Sequence, residues 1–259
     1  MNFKKHIPNA ITCGNLFCGC LAIVSAFNGN LVVSAYLVGL AAVLDFFDGF
    51  AARLLKVSGE MGKQLDSLAD MVTFGVVPGV IMYMMLLNSS TISKVGFMFM
   101  EQNTWIPFLG FSLTIFSCIR LAKFNIDVRQ TSSFIGVPTP ANTIFICSLP
   151  LISGASTLNI NGNGSLQNLT SASEFIFNPY FLLALTIIMS YLLVAELPLF
   201  ALKFKTFGWE HNKTRYSFLI ISLILLILFQ FIAIPFIIFL YIVLSVINNL
   251  MNKTKTIEH

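Results

Sequence analysis

The chain has 259 residues, 56% of them hydrophobic and 10% charged, with a mean hydropathy of +0.84 and a formal net charge of +4. Soluble domains carry roughly 45–50% apolar and about 25% charged residues, so this composition cannot cover a water-facing surface and excludes a soluble enzyme. The apolar surplus falls in runs long enough to cross a bilayer. No stretch is left for a separate soluble catalytic domain, so any chemistry rests on the few polar residues in or beside the membrane helices, and no nucleic-acid partner is expected.

In chain order, the first predicted span is 10–27, preceded by Lys4 and Lys5. That start mimics a secretory leader, but Pro8, Asn9, Thr12 and Asn15 interrupt the apolar core and no A-x-A site follows, so a short interfacial segment is expected instead. Further spans are predicted at 31–54, 62–86, 104–122, 138–154 and 178–202. The run 215–250, broken by Gln230 and Pro235, reads either as a tight hairpin of two spans, 215–232 and 234–250, or as one kinked element. The expectation is an all-α polytopic membrane bundle of about eight transmembrane helices. Residues 1–202 form its six-helix catalytic core, and 203–259 a C-terminal pair with a tail.

With eight spans, 14 of the 15 basic residues fall on one side and only Lys94 on the other, which places both termini in the cytoplasm. The segment 155–177 is Asn/Gly/Ser-rich and reads as a solvated outer connector; its Asn168-Leu169-Thr170 sequon carries no weight by itself. The five cysteines, Cys13, Cys18, Cys20, Cys118 and Cys147, lie within predicted spans and read as packing residues rather than a disulfide framework or metal site.

Four of the five aspartates occupy one stretch of 26 residues: Asp45 and Asp48 in the second span, Asp66 and Asp70 in the third. Ionisable side chains inside spans are costly and mark functional sites. Spacings of three and four put each pair on one helix face, and a short turn near Val57-Ser58-Gly59 makes the helices antiparallel neighbours. The four carboxylates then meet at nearly one depth and need a compensating charge. Hard oxygen ligands without His or Cys favour Mg²⁺ or Mn²⁺ over zinc, and four carboxylates suffice for two ions. Gly49 and Gly62 permit close approach of a phosphate, and Arg53 offers a planar cation for it. A proton relay or ion transporter is the competing reading, but it requires neither the arginine nor the flanking glycines.

The pattern Asp45-x-x-Asp48-Gly49-x-x-Ala52-Arg53, eight residues, Gly62-x-x-x-Asp66-x-x-x-Asp70 resembles the full motif of the CDP-alcohol phosphotransferases at all eight fixed positions. Four further segments resemble the serine-accepting bacterial branch of that family: Ile7 to Thr12 with Asn15-Leu16, Asp66 to Val76, Arg120 to Asn125, and Phe134 to Pro140. This similarity spans residues 5–145. The resemblance implies transfer of a phosphatidyl group from CDP-diacylglycerol to L-serine with release of CMP, in a homodimer in the bacterial inner membrane with its active site facing the cytoplasm. It implies that Asp45 and Asp66 bridge two divalent cations, that Asp48 completes one shell, and that Asp70 is both ligand and general base. Gly49, Ala52, Arg53, Gly59 and Gly62, with Asn9 and Thr12 of the first span, match positions that hold the CDP moiety, and Ser58 is a neighbouring candidate.

For the serine carboxylate the candidates are Arg120 and Lys123, Lys123 standing where the branch commonly has Arg; Arg129 reads as an ordinary positive-inside residue. Gly136 to Pro140 is either a rigid lid or a helix-initiating turn. Glu196 is expected inside the sixth span, paired with a basic residue at the cavity wall. His6, His211 and His259 show no ligand spacing. A different acceptor, such as glycerol phosphate, inositol phosphate or choline, keeps the same chemistry. Membrane prenyltransferases also bind metal through Asp-rich helices but lack the Gly-x-x-Ala-Arg element.

Overall fold

The computed structural model describes residues 6–57, 59–92, 105–127, 133–154, 171–200 and 209–257. Ser58, Lys94, Arg129, the sequon and His259 lie outside them. Helix α1 (His6–Phe27) runs into α2 (Leu31–Leu54) through a tight link. Gly29, at φ +80°, closes α1 with bonds from its own N–H to Ala26 O (2.9 Å) and from Asn30 N–H to Ser25 O (3.0 Å). The Asn30 side chain then caps α2 by accepting from the Val33 N–H at 3.1 Å. Two antiparallel helices follow from an Asn-Gly-Asn run.

α2 ends in the same type of closure, with Val57 N–H to Ala52 O at 3.0 Å and Lys56 N–H to Arg53 O at 3.2 Å. Here the left-handed residue is Lys56 (φ +51°), where glycine is usual. Helix α3 (Glu60–Asp70) starts directly afterwards, so the two acid-bearing helices are joined by a turn.

The predicted third span is not one regular helix. α3 stops at Asp70, a π-helical turn occupies Met71–Val76, and α4 (Val77–Ile92) continues. The π turn is buried at Thr73, Phe74 and Gly75. Thr73 Oγ1 donates to Asn15 O of α1 at 3.3 Å, and Thr143 Oγ1 lies 2.7 Å from Phe74 O. Thr143 thus meets a carbonyl that the widened turn releases, and the Thr73 side chain ties the turn to α1.

A 3₁₀ segment, Ile106–Phe111, leads into α5 (Ser112–Ile126). Strand β1 (Ser133–Ile135) precedes α6 (Thr139–Ser153), the short helix α7 (Ser171–Ile176) precedes α8 (Pro179–Val194), and β2 (Pro198–Phe200) follows. β1 and β2 pair antiparallel, Ile135 opposite Pro198. The sixth predicted span therefore ends earlier than expected. Ala195 N–H makes the last helical bond, to Tyr191 O, and its backbone turns extended. Pro198 cannot supply a helical N–H and biases Leu197 away from helix, so Glu196 stands in an exposed turn rather than inside a span. Gly136 to Pro140 is a helix-initiating turn: Pro138 caps α6 and Pro140 sits in its first turn.

Helix α9 (Trp209–Phe229), a 3₁₀ turn at Gln230–Ile232 and α10 (Ala233–Ile257) form a hairpin. A straight helix would separate residues 218 and 241 by about 35 Å, yet the rings of Phe218 and Tyr241 are 5.7 Å apart. Gln230, at φ +49°, makes the reversal, and Phe231 packs on Tyr36 near the start of α2 at 6.1 Å.

The main core lies between α1, α2, α4, α5, α6 and α8 around Phe74, Ile81, Met85, Leu113 and Leu182. A smaller cluster of Val137, Leu199, Phe218 and Tyr241 ties the hairpin to the β pair. Large apolar side chains such as Phe17, Leu40, Phe46, Ile187 and Phe239 face outward along the helices, as lipid-facing surfaces do, since lipid is as apolar as the side chains themselves. Five helical stretches are long and apolar enough to cross a membrane, His6–Phe27, Leu31–Leu54, Glu60–Ser89, Ile106–Ile126 and Arg215–Ile247, the last containing both arms of the hairpin. Thr139–Ser153 and Pro179–Val194 are shorter apolar helices. The chain is an all-α polytopic membrane protein.

Candidate active site

The sharp turn between α2 and α3 and the spacing of the acids bring carboxylates of Asp45, Asp48 and Asp66 together, one oxygen of each lying within 4.8 Å of the others. Asp70, one turn beyond Asp66, brings its carboxyl group against that of Asp45. Its Oδ1 is buried and has no hydrogen-bond partner among the described residues. Four acids this close, with a buried orphan oxygen among them, are a set of hard ligands that calls for cationic neutralisation.

The first helix supplies the orientation. Thr12 is buried and its Oγ1 lies 2.6 Å from Asp48 Oδ2, short enough for a charge-assisted bond, and 3.1 Å from Pro8 O. Asp48 is itself buried, at 6% exposure, so the threonine selects the rotamer that turns it toward Asp45 and Asp66. From the other side, Asn125 of α5 donates to Ser67 Oγ at 2.9 Å, pinning α5 against the face of α3 that carries Asp66 and Asp70.

Beside the acids opens a cavity of about 480 Å³, within the range of small-molecule sites. Asn9, Thr12, Asp48, Gly49, Ala52, Gly59, Gly62 and Asp66 line it, and so do Glu60 and Lys63. Gly62 packs closely on the first helix: a Cβ there would stand 3.2 Å from Asn9 Oδ1, so a side chain would require the asparagine to shift by a few tenths of an ångström. Arg53 is exposed and one turn past Gly49, its Nη1 reaching back to within 3.5 Å of where a Gly49 Cβ would be. Asp45, Asp70 and Arg53 are not among the lining residues. Lys63 is a cation that sequence reasoning counted only toward sidedness; its place next to the motif residue Gly62 was the available signal.

Arg120 and Lys123 do not share this cavity. They line a second one, of about 340 Å³, with Ile126, Asp127, Ile135, Leu193, Val194 and Glu196. Arg120 is buried, donates from Nε to Val137 O at 2.9 Å and stacks over the Phe124 ring at 5.5 Å, while Lys123 is exposed. The cysteines are unpaired: Cys18 and Cys147 are buried, and Cys13, Cys20 and Cys118 face outward.

Residues 5–170 match the CDP-alcohol phosphatidyltransferase family. Among curated proteins, the CDP-diacylglycerol–serine O-phosphatidyltransferase of Bacillus subtilis (strain 168) is 39% identical over 140 residues, covering 52% of this chain and 70% of that protein. The protein of the same name from Helicobacter pylori (strain J99) is 36% identical over 141 residues, 54% of each chain. An archaetidylserine synthase of Methanothermobacter thermautotrophicus is 28% identical over 167 residues, 61% of this chain and 66% of that one. The match spans about half the length of the Helicobacter relative.

Proposed function

The chain belongs to the CDP-alcohol phosphatidyltransferase family, an enzyme family of the membrane, and on that premise we propose that it transfers the phosphatidyl group of CDP-diacylglycerol to the hydroxyl of L-serine, releasing CMP. The observation that carries the reading is the meeting of Asp45, Asp48 and Asp66 within 4.8 Å beside a cavity of about 480 Å³. Two relatives at 36–39% identity that are named for the serine acceptor support the choice of serine.

Asp45, Asp48, Asp66 and Asp70 would hold two divalent cations, Mg²⁺ or Mn²⁺. When bound, such ions neutralise charge on the diphosphate and on the departing CMP. Thr12 holds Asp48 in the ligating rotamer. Asn9, Gly49, Ala52, Gly59 and Gly62 shape the nucleotide cavity, and Arg53 and Lys63 supply cations to its diphosphate. Asp70, one of whose oxygens meets no donor among the described residues, takes the proton of the serine hydroxyl as the serine oxygen attacks phosphorus. A serine O–P bond forms, the diphosphate P–O bond breaks, and CMP leaves with the electron pair. Arg120 and Lys123 receive the acceptor's carboxylate.

We propose that this chemistry lies at the cytoplasmic face, a reading the basic residues around the α2–α3 turn support, and that the protein works as a homodimer in the bacterial inner membrane. Residues 1–202 form the catalytic unit and 203–259 an accessory hairpin with its tail. The test is direct: purified protein with CDP-diacylglycerol and Mn²⁺ or Mg²⁺ releases CMP when L-serine is added and not without it. Release driven by glycerol 3-phosphate or inositol phosphate instead overturns the serine assignment. No release with any acceptor, from folded protein, overturns the transferase reading and favours an ion-binding role.

A further inference from the structure

The second cavity contains charges of both signs held on separate supports. Arg120 comes from α5. Its guanidinium is fixed at one end by Nε to Val137 O (2.9 Å) and across its face by Phe124, while Nη2 is buried without a partner among the described residues and the residue is only 5% exposed. A guanidinium nitrogen in that state is costly unless an acceptor from outside the chain meets it. Glu196 comes from the turn after α8 and lines the same cavity, as do Lys123 of α5 and Asp127 at its end. Among the described residues no ion pair joins Glu196 to Arg120 or Lys123. Opposite charges that share a cavity without pairing leave room for a dipolar molecule between them.

The backbone keeps that separation. Gly136 N–H bonds Leu197 O and Val137 N–H bonds Leu192 O, both at 2.9 Å. The carbonyl that grips Arg120 and the turn that carries Glu196 therefore belong to one frame, the β1–β2 pair. Gly136 sits at φ +75°, and a Cβ there would stand 2.6 Å from Leu193 O, so this junction admits no side chain. Asn125, just past Arg120 on α5, binds Ser67 between Asp66 and Asp70, which docks the wall of the second cavity against the acid helix.

We propose that this cavity is the acceptor pocket for a small amino acid in zwitterionic form, with Arg120 binding the α-carboxylate and Glu196 binding the α-ammonium. Glu196 is then a specificity residue, selecting an amino acid over a plain hydroxy acid. The inference rests on the transferase reading above and deepens it.

Three acceptors separate the contacts: L-serine, 3-hydroxypropionate (hydroxyl and carboxylate, no ammonium) and ethanolamine (hydroxyl and ammonium, no carboxylate). Each is measured by CMP release or as a competitive inhibitor against serine, in wild type, Glu196→Gln and Arg120→Lys. Glu196→Gln raises the KM for serine about tenfold or more, leaves the constant for 3-hydroxypropionate within about twofold, and does not move the KM for CDP-diacylglycerol. Arg120→Lys does the reverse, weakening serine and 3-hydroxypropionate while sparing ethanolamine. Equal weakening of serine and 3-hydroxypropionate in Glu196→Gln, or an unchanged serine KM, overturns the ammonium contact while leaving the transferase reading intact. Absence of CMP release in wild type with every acceptor overturns both.

Discussion

Thr12→Val removes one hydroxyl and little volume, and its effect can be worked from the structure. The hydroxyl lies 2.6 Å from Asp48 Oδ2, and Asp48 is only 6% exposed, so little water reaches the carboxylate to replace the lost donor. Hydrogen bonds to charged groups contribute about 1.5–3 kcal/mol, which at about 1.4 kcal/mol per decade is about 10- to 100-fold in affinity. The loss falls on the orientation of a metal-ligating carboxylate, and partners of ligands contribute about that much to metal affinity in general. In a Mn²⁺ titration of CMP release, the half-saturating concentration for Thr12→Val should rise by about 10- to 100-fold, with much of the rate recovered at high Mn²⁺. Thr12→Ser, which keeps the hydroxyl, should stay near wild type. A Thr12→Val protein with unchanged Mn²⁺ dependence would refute the orienting role of this bond. A rate that stays low at every Mn²⁺ concentration would move Thr12 to the nucleotide site.

Other outcomes follow from the same geometry. Asp70→Asn keeps the shape and loses the base, so turnover should fall by about 10²–10⁴-fold or beyond detection, while CDP-diacylglycerol still binds by direct titration; full activity would remove Asp70 as base. Chelation by EDTA should abolish CMP release and added Mn²⁺ or Mg²⁺ restore it, whereas activity persisting after exhaustive chelation contradicts a metal-dependent acid cluster. Gly136→Ala forces a Cβ toward Leu193 O from a left-handed backbone, a cost of at least about 1–2 kcal/mol, read as a lower melting temperature in detergent. Lys56→Gly relieves the left-handed residue that closes α2 and should raise stability by up to about 1 kcal/mol; a loss of stability would show that the Lys56 side chain holds the turn.

The sequence by itself determined the solvent and the helical architecture, because 56% apolar residues in long runs leave the backbone only helices with which to satisfy itself in lipid. It also determined that Asp45, Asp48 and Asp66 would face one another, since helical spacing and a turn of a few residues are local geometry. Other features needed the tertiary structure. The π turn after Asp70 is held from outside by Asn15 O and Thr143, 58 and 69 residues from their partners in sequence, and no local periodicity encodes it. The run 215–250 was open between a hairpin and a kinked helix until Phe218 met Tyr241. Glu196 read as an acid inside a span because apolar residues surround it; Pro198 and pairing with β1 end the helix first and put the carboxylate in the cavity of Arg120. Thr12 and Asp48 are 36 residues apart and become partners because α1 packs along α2. Composition and spacing act along the chain, whereas these pairings depend on which helix faces lie against each other, and that is decided when the bundle packs.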